Sequence, residues 1–167
     1  MSRTRILLAA AAILLAVAAP ALTQPKGKPA APAAPPRPAP KREPVAETRL
    51  LMEGLNLSNF RGLERLLKDK PADVEAWTFI RGQALLIAET GNLLLLRPPR
   101  NQGRDTWMKE AMDMRQAAGT LARQLGGRDY ERSKVALAEL RVACNHCHQT
   151  FRVPVKVAPP AAARDAE

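Results

Sequence analysis

Four segments of helical length, separated by helix-breaking residues, constrain the fold of this 167-residue chain more than any other feature. They cover about residues 45–68, 73–96, 105–125 and 129–151. The breaks between and after them fall at Pro71, Pro98-Pro99, Gly126-Gly127 and Pro154. Proline cannot continue a helix, and glycine readily caps the C-terminal end of one. The pattern therefore predicts four helices joined by short connections.

Within these segments, apolar residues recur at spacings of three and four, the period of a helix with one buried face. The second segment carries Trp77, Ile80, Ala84, Ile87 and Leu94, and the third carries Trp107, Ala111, Met114, Ala118, Leu121 and Leu125. Aromatic residues make up only 4% of the chain, and no run of alternating strand residues is evident. The pattern predicts an all-α fold, an antiparallel four-helix bundle.

Short polar residues and glycines predict where these helices begin and end. Asp73 and Asp129 are the predicted N-caps of the second and fourth helices. Gly126-Gly127 predicts a left-handed cap at the end of the third. In the first segment, Asn56 to Ser58 offers a second N-cap, and so a break in that helix.

The two ends of the chain differ in composition from the helical core at residues 45–157. Arg3 and Arg5 precede an apolar run at residues 6–19, and small residues follow, which is typical of a signal peptide at residues 1–21. Residues 22–44 are almost wholly Pro, Ala, Lys and Arg and predict a disordered linker. Residues 158–167 predict a disordered tail. The domain is thus expected to be exported.

The two cysteines and two histidines of the chain all lie in Cys144-Asn145-His146-Cys147-His148. C-x-x-C-H is the attachment sequence for haem c. Positions i, i+3 and i+4 share one face of a helix, so Cys144, Cys147 and His148 converge on one planar ligand. The thiols are predicted to form thioethers with the haem, and the His148 imidazole to be the proximal iron ligand. His146 points to another side, towards solvent.

Other uses of a C-x-x-C pair fit this chain less well. A zinc site needs about four ligands, and there is no second pair of cysteines. A redox-active dithiol normally follows a strand of a βαβ unit, and no strand precedes Cys144. A structural disulfide would be strained within a helix. The cysteines also continue the core stripe of Leu137 and Leu140, which places the haem inside the bundle.

A C-x-x-C-H motif on the last helix of a four-helix bundle resembles the class II c-type cytochromes, the cytochrome c′ family. The resemblance covers residues 45–153 and is carried by two features. After the motif come two residues and then the aromatic Phe151 and the arginine Arg152, and Trp107 opens the third helix as a tryptophan often does in the family. The first helix departs from the family pattern, because Met52 follows Arg49 by three residues, where the family often has four.

The resemblance implies that Met52 faces the distal side of the iron. Met52 is the candidate sixth ligand, which would raise the reduction potential. The alternatives are that Met52 only packs in the core, or that Leu51 fills the distal pocket and leaves the iron open. Arg152, one helical turn beyond His148, is the best-placed candidate for a haem propionate contact.

The expected function is that of a periplasmic monohaem cytochrome that carries electrons between redox partner proteins. The alternative is a five-coordinate haem protein that binds NO or CO. No nucleophile–base set with specific spacing is evident, so an enzyme is not predicted. The net charge of +10 lies partly in residues 22–44 and includes no basic helix with interleaved aromatics, so nucleic acid is not an expected partner. Homodimers are common in the resembled family, and an uncleaved signal would anchor the domain to a membrane.

Overall fold

The computed structural model of the protein describes residues 41–100 and 103–158. The predicted signal peptide, the predicted linker up to residue 40 and the predicted tail from residue 159 lie outside the described residues. Every regular element in the described ranges is a helix, which confirms an all-α fold there. None of these helices is long and apolar enough to cross a membrane.

The helical elements match the four predicted segments closely. They are α1 (Thr48–Leu51), a π-helical segment (Met52–Leu57), α2 (Ser58–Leu66), α3 (Val74–Leu95), α4 (Arg104–Gly126) and α5 (Tyr130–Thr150). Asp73 accepts a hydrogen bond from the Ala76 amide at 2.7 Å, and Asp129 accepts one from the Arg132 amide at 3.0 Å. Both predicted N-caps are therefore confirmed.

The first predicted helix does not break near Asn56. The elements α1, the π-helical segment and α2 are consecutive, and Met52 and Ser58 at their junctions have right-handed helical dihedral angles. Asn56 is buried at 8% exposure instead of capping a new helix. The expected break is replaced by one wide turn, a distortion that is often found at functional sites.

The left-handed cap predicted at Gly126-Gly127, at the end of α4, is wrong, because the left-handed residue is Arg128. Gly127 has φ −77°, whereas Arg128 takes the left-handed conformation with φ 55°. The Asp129 amide donates to the Gln124 carbonyl, and the Arg128 amide donates to the Leu125 carbonyl. This is the paired hydrogen bonding of a Schellman motif, which reverses the chain towards α5.

One apolar core joins α2, α3, α4 and α5. The predicted inward residues of α3 and α4 are buried, apart from Trp107, which is half-buried and packs against this core. At Gly91, an added Cβ would lie 2.8 Å from the Cβ of Arg115 and 3.0 Å from the Ala111 carbonyl oxygen. Glycine is required there because α3 and α4 approach closely.

Helix α5 also makes side-chain contacts with the first helical stretch. The Arg141 guanidinium lies 3.2 Å from the Glu64 carboxylate on α2. The Tyr130 hydroxyl donates to the carbonyl of Leu67 or Lys68, at 3.1 and 2.9 Å. These contacts bring the last helix beside the first, as well as against α4.

Candidate cofactor site

The C-x-x-C-H residues lie in the last two turns of α5, which continues to Thr150 without a break. Cys144, Cys147 and His148 therefore project from one face of a regular helix, as their spacing predicts. Both cysteines are free and half-buried, and Cys144 packs against the apolar core. The two thiols and the imidazole thus share one face of α5, with Cys144 nearest the apolar core.

Burial raises the pKa of the Cys144 thiol to about 12, and the neighbouring Cys147 adds to this increase. Burial also raises the pKa of the Cys147 thiol to about 11, with a further contribution from the Glu110 carboxylate. Both groups are therefore protonated at neutral pH. An activated dithiol of the thioredoxin kind has the opposite property, a lowered thiol pKa.

The His148 ring is oriented by the chain that follows α5. Its Nδ1 atom lies 2.8 Å from the carbonyl oxygen of Val155. A carbonyl oxygen only accepts hydrogen bonds, so Nδ1 must carry a proton, and in the neutral ring Nε2 is left as the atom able to bind a metal. Metal-binding histidines are commonly held in this way by a carbonyl behind the ring.

A shallow pocket of about 350 Å³ lies beside His148. Its walls are Asn145, His148 and Gln149 of α5 and residues 153–156. Neither cysteine lines this pocket. The donor atoms fit a covalently attached haem in type and spacing, and the pocket beside His148 is a recess next to the proposed iron ligand.

His146 has a partner that the sequence did not predict. It is largely exposed, as expected, yet its Nδ1 lies 2.8 Å from the Oε2 atom of Glu110, a residue of α4 that is only 4% exposed. Glu110 lies three residues after Trp107 and four before Met114, on the apolar stripe itself. A charged residue at a stripe position was the signal that would have identified this pair.

Met52 is half-buried at the start of the π-helical segment and packs against the core. The side-chain amide of Asn56 lies 3.3 Å from the Met52 sulfur and 3.3 Å from the Met114 sulfur, so its Nδ2 donates to both. Among the described residues, no donor reaches the buried Oδ1 of Asn56. A buried acceptor without a partner costs about 1–3 kcal/mol, so this polar group beside Met52 marks the region as a candidate ligand-binding position.

Arg152 is the second residue beyond the last helix and takes the left-handed conformation, with φ 54°. Its side chain is exposed and forms no ion pair with the described residues. Phe151 packs edge-on against Trp107 of α4, with ring centroids 5.2 Å apart. The Trp107 indole in turn donates to the Leu94 carbonyl at 2.8 Å. These aromatic contacts attach the end of α5 to the start of α4.

No protein-family model matches the chain, and no curated protein is significantly similar to it. Among the described residues, no group of three or more His, Cys, Asp or Glu side chains could hold a metal ion.

Proposed function

We propose that this protein is a periplasmic monohaem c-type cytochrome that carries electrons between redox partner proteins. The observation that carries the proposal is the hydrogen bond from His148 Nδ1 to the Val155 carbonyl oxygen. It leaves Nε2 free on the same helical face as two unbonded thiols. An imidazole held from behind is common to many metal sites, so this contact indicates a metal ligand. The two cysteines at the spacing of haem attachment then indicate haem as the group that His148 would ligate.

The chain's own residues would divide the binding between them. Cys144 and Cys147 would form the two thioethers, and His148 Nε2 would ligate the iron from the proximal side. Met52 is the proposed distal ligand, and Arg152 the proposed propionate contact. A bound haem would supply an iron that alternates between Fe(II) and Fe(III).

The proposed scaffold is an antiparallel four-helix bundle with the haem on its last helix. In support, α2 packs against α3, α3 against α4 and α4 against α5. The Arg141–Glu64 ion pair and the Tyr130 hydroxyl then connect α5 back to the first helical stretch. Four helices in contact around one core are the arrangement in which bundle proteins hold cofactors between facing helices.

A second candidate function is the binding of NO or CO at a vacant distal site. The Asn56 amide favours it, because it donates to the Met52 sulfur and holds that sulfur near Met114 in the core. A sulfur that accepts this hydrogen bond is less available as an iron ligand, which would leave the distal position open to a small ligand.

The reduced-state optical spectrum of Met52→Leu separates the two candidates. Methionine ligation predicts a sharp low-spin spectrum for the unaltered protein, with a reversible one-electron titration, and a broad high-spin spectrum for Met52→Leu. The exposed Met112 on α4 provides the control, since Met112→Leu should change neither. A high-spin spectrum before any substitution, sharpened by CO, would support the gas-binding candidate. A protein without haem would contradict both.

A further inference from the structure

The chain beyond α5 folds back along the helix that carries the C-x-x-C-H residues. With Arg152 in the left-handed conformation, the Arg152 amide donates to the Gln149 carbonyl at 3.2 Å, and the Val153 amide donates to the His148 carbonyl at 2.8 Å. These are the two hydrogen bonds of a Schellman motif. Residues 153–157 consequently run beside the last two turns of α5; these five residues are here called the return segment.

Asn145 clamps the return segment at Val157. Its side-chain Nδ2 donates to the Val157 carbonyl at 3.0 Å, and its Oδ1 accepts from the Val157 amide at 2.8 Å. A carboxamide offers a donor and an acceptor side by side in this way, which an ionised carboxylate does not. The Val157 side chain also packs against the apolar core, which adds an apolar contact at the same residue.

The clamp lies two residues from the carbonyl that orients His148. Val155 accepts from His148 Nδ1, and Val157 is held on both of its backbone polar groups by Asn145. Pro154 fixes φ immediately before Val155 and so restricts the segment further. The position of the Val155 carbonyl is therefore set from both sides, by the Schellman motif before it and by the Asn145 clamp after it.

We infer that Asn145 is a positioning residue for His148. By holding Val157, it keeps the Val155 carbonyl behind the imidazole, so that Nδ1 retains its proton and Nε2 remains the ligating atom. This inference rests on the proposed function for the role of Nε2. The clamp itself is a property of the polypeptide alone.

Loss of the clamp has a defined consequence for the ligand. A strong Nδ1–H···O=C hydrogen bond raises the basicity of the imidazole, and a more basic ligand stabilises Fe(III) over Fe(II). A weaker hydrogen bond should therefore move the reduction potential in the positive direction. A residue with a merely structural role would change stability without this shift.

The first test is hydrogen exchange, measured by NMR on the full chain as isolated, at the Val157 amide proton and the His148 Nδ1 proton. Asn145→Ala should accelerate both by about fivefold, since a single hydrogen bond contributes about 1 kcal/mol. Asn145→Asp retains an acceptor for the Val157 amide and should give a smaller acceleration at that site. Gln149→Ala, a change in the same pocket outside the clamp, should alter neither. Faster exchange at Val157 with an unchanged His148 proton would overturn the inference.

The second test is the reduction potential of the haem-loaded protein. Asn145→Ala should shift it in the positive direction, Asn145→Asp by less, and Gln149→Ala not at all. An unchanged potential in Asn145→Ala would overturn the positioning role. If the unaltered protein carries no haem, the proposed function fails, while the exchange experiment still decides whether Asn145 controls the His148 proton.

Discussion

The two halves of α5 differ sharply in packing, although one apolar stripe runs through both. In the first half, the inward residues are buried, and Leu140 has no exposed surface at all. In the second half, Cys144, Cys147 and Phe151 continue the same spacing, yet each is only half-buried. The stripe is thus continuous in sequence while the protein core ends at Leu140. A flat apolar group bound along the second half would complete the core where the polypeptide does not.

The polar groups of the two halves differ in the same way. In the first half, the buried Ser133 hydroxyl donates to the Asp129 carbonyl, one turn earlier in its own chain. In the second half, Asn145, His146 and His148 each bond to a residue outside α5. The first half combines apolar contacts with the hydrogen bond from Tyr130 to Leu67 or Lys68, whereas the motif residues of the second half are held by hydrogen bonds to α4 and to the return segment. The polar side chains of the second half are therefore held in defined orientations by hydrogen bonds, whereas the inward side chains of the first half are mainly buried.

Truncation of one inward residue in each half gives the largest expected contrast. Leu140→Ala should lower the free energy of unfolding by about 3 kcal/mol, because it leaves a cavity in a fully buried position. Cys144→Ala should cost about 1 kcal/mol or less, since it removes one half-buried atom. Urea unfolding of the chain produced without haem attachment measures both. Equal losses in the free energy of unfolding would show that the core extends past Leu140. The two halves of α5 would then not differ in packing.

In the chain produced without haem attachment, the thiols of the second half should react slowly with an alkylating reagent. The pKa values of about 11 for Cys147 and about 12 for Cys144 leave little thiolate at pH 8. We expect Cys147 to react first, on the order of 100-fold slower than in the unfolded chain, where a thiol pKa is about 8.5. Because folding raises both pKa values, stability should fall as the pH rises from about 8.5 through the folded-state values. Alkylation rates equal to those of the chain unfolded in urea would indicate that the two thiols are not desolvated in the folded state.

Removal of His146 should leave the buried Glu110 carboxylate without its partner. His146→Ala is expected to cost about 1–3 kcal/mol of stability, the penalty for an unsatisfied buried polar group. His146→Gln, which keeps a donor, should recover part of the loss. The double variant His146→Ala with Glu110→Leu should recover more, because it removes the carboxylate itself. If His146→Ala left the stability unchanged, water would already satisfy the Glu110 carboxylate.

The smallest expected effect concerns the chain reversal after each of the last two helices. Arg152 and Arg128 both take positive φ, where an L residue is strained and glycine is not. Arg152→Gly and Arg128→Gly should each stabilise the haem-free chain by up to about 1 kcal/mol. Thermal unfolding measures the gain. A loss confined to Arg152→Gly would show that its side chain makes a contact that Arg128 lacks.

Local rules predicted the helices well because their signals are local. The apolar stripes and the Asp73 and Asp129 caps depend on residues within a few positions of each other. The partners of the motif residues could not be predicted in this way. Val155 and Val157 bond through their backbone, which carries no side-chain signal, and the return of the chain depends on Arg152 in a conformation that favours glycine. The π-helical turn at Asn56 was missed because its amide, read as a cap, is buried against two sulfurs.

Pyridine haemochrome analysis with an intact mass tests the central claim most directly. The mature protein would be isolated from a host that attaches haem to C-x-x-C-H sequences, beside a Cys144→Ala, Cys147→Ala double variant. We predict a thioether-linked haemochrome and the mass of the chain plus one haem, both lost in the double variant. A colourless unaltered protein with the mass of the polypeptide alone would contradict the account.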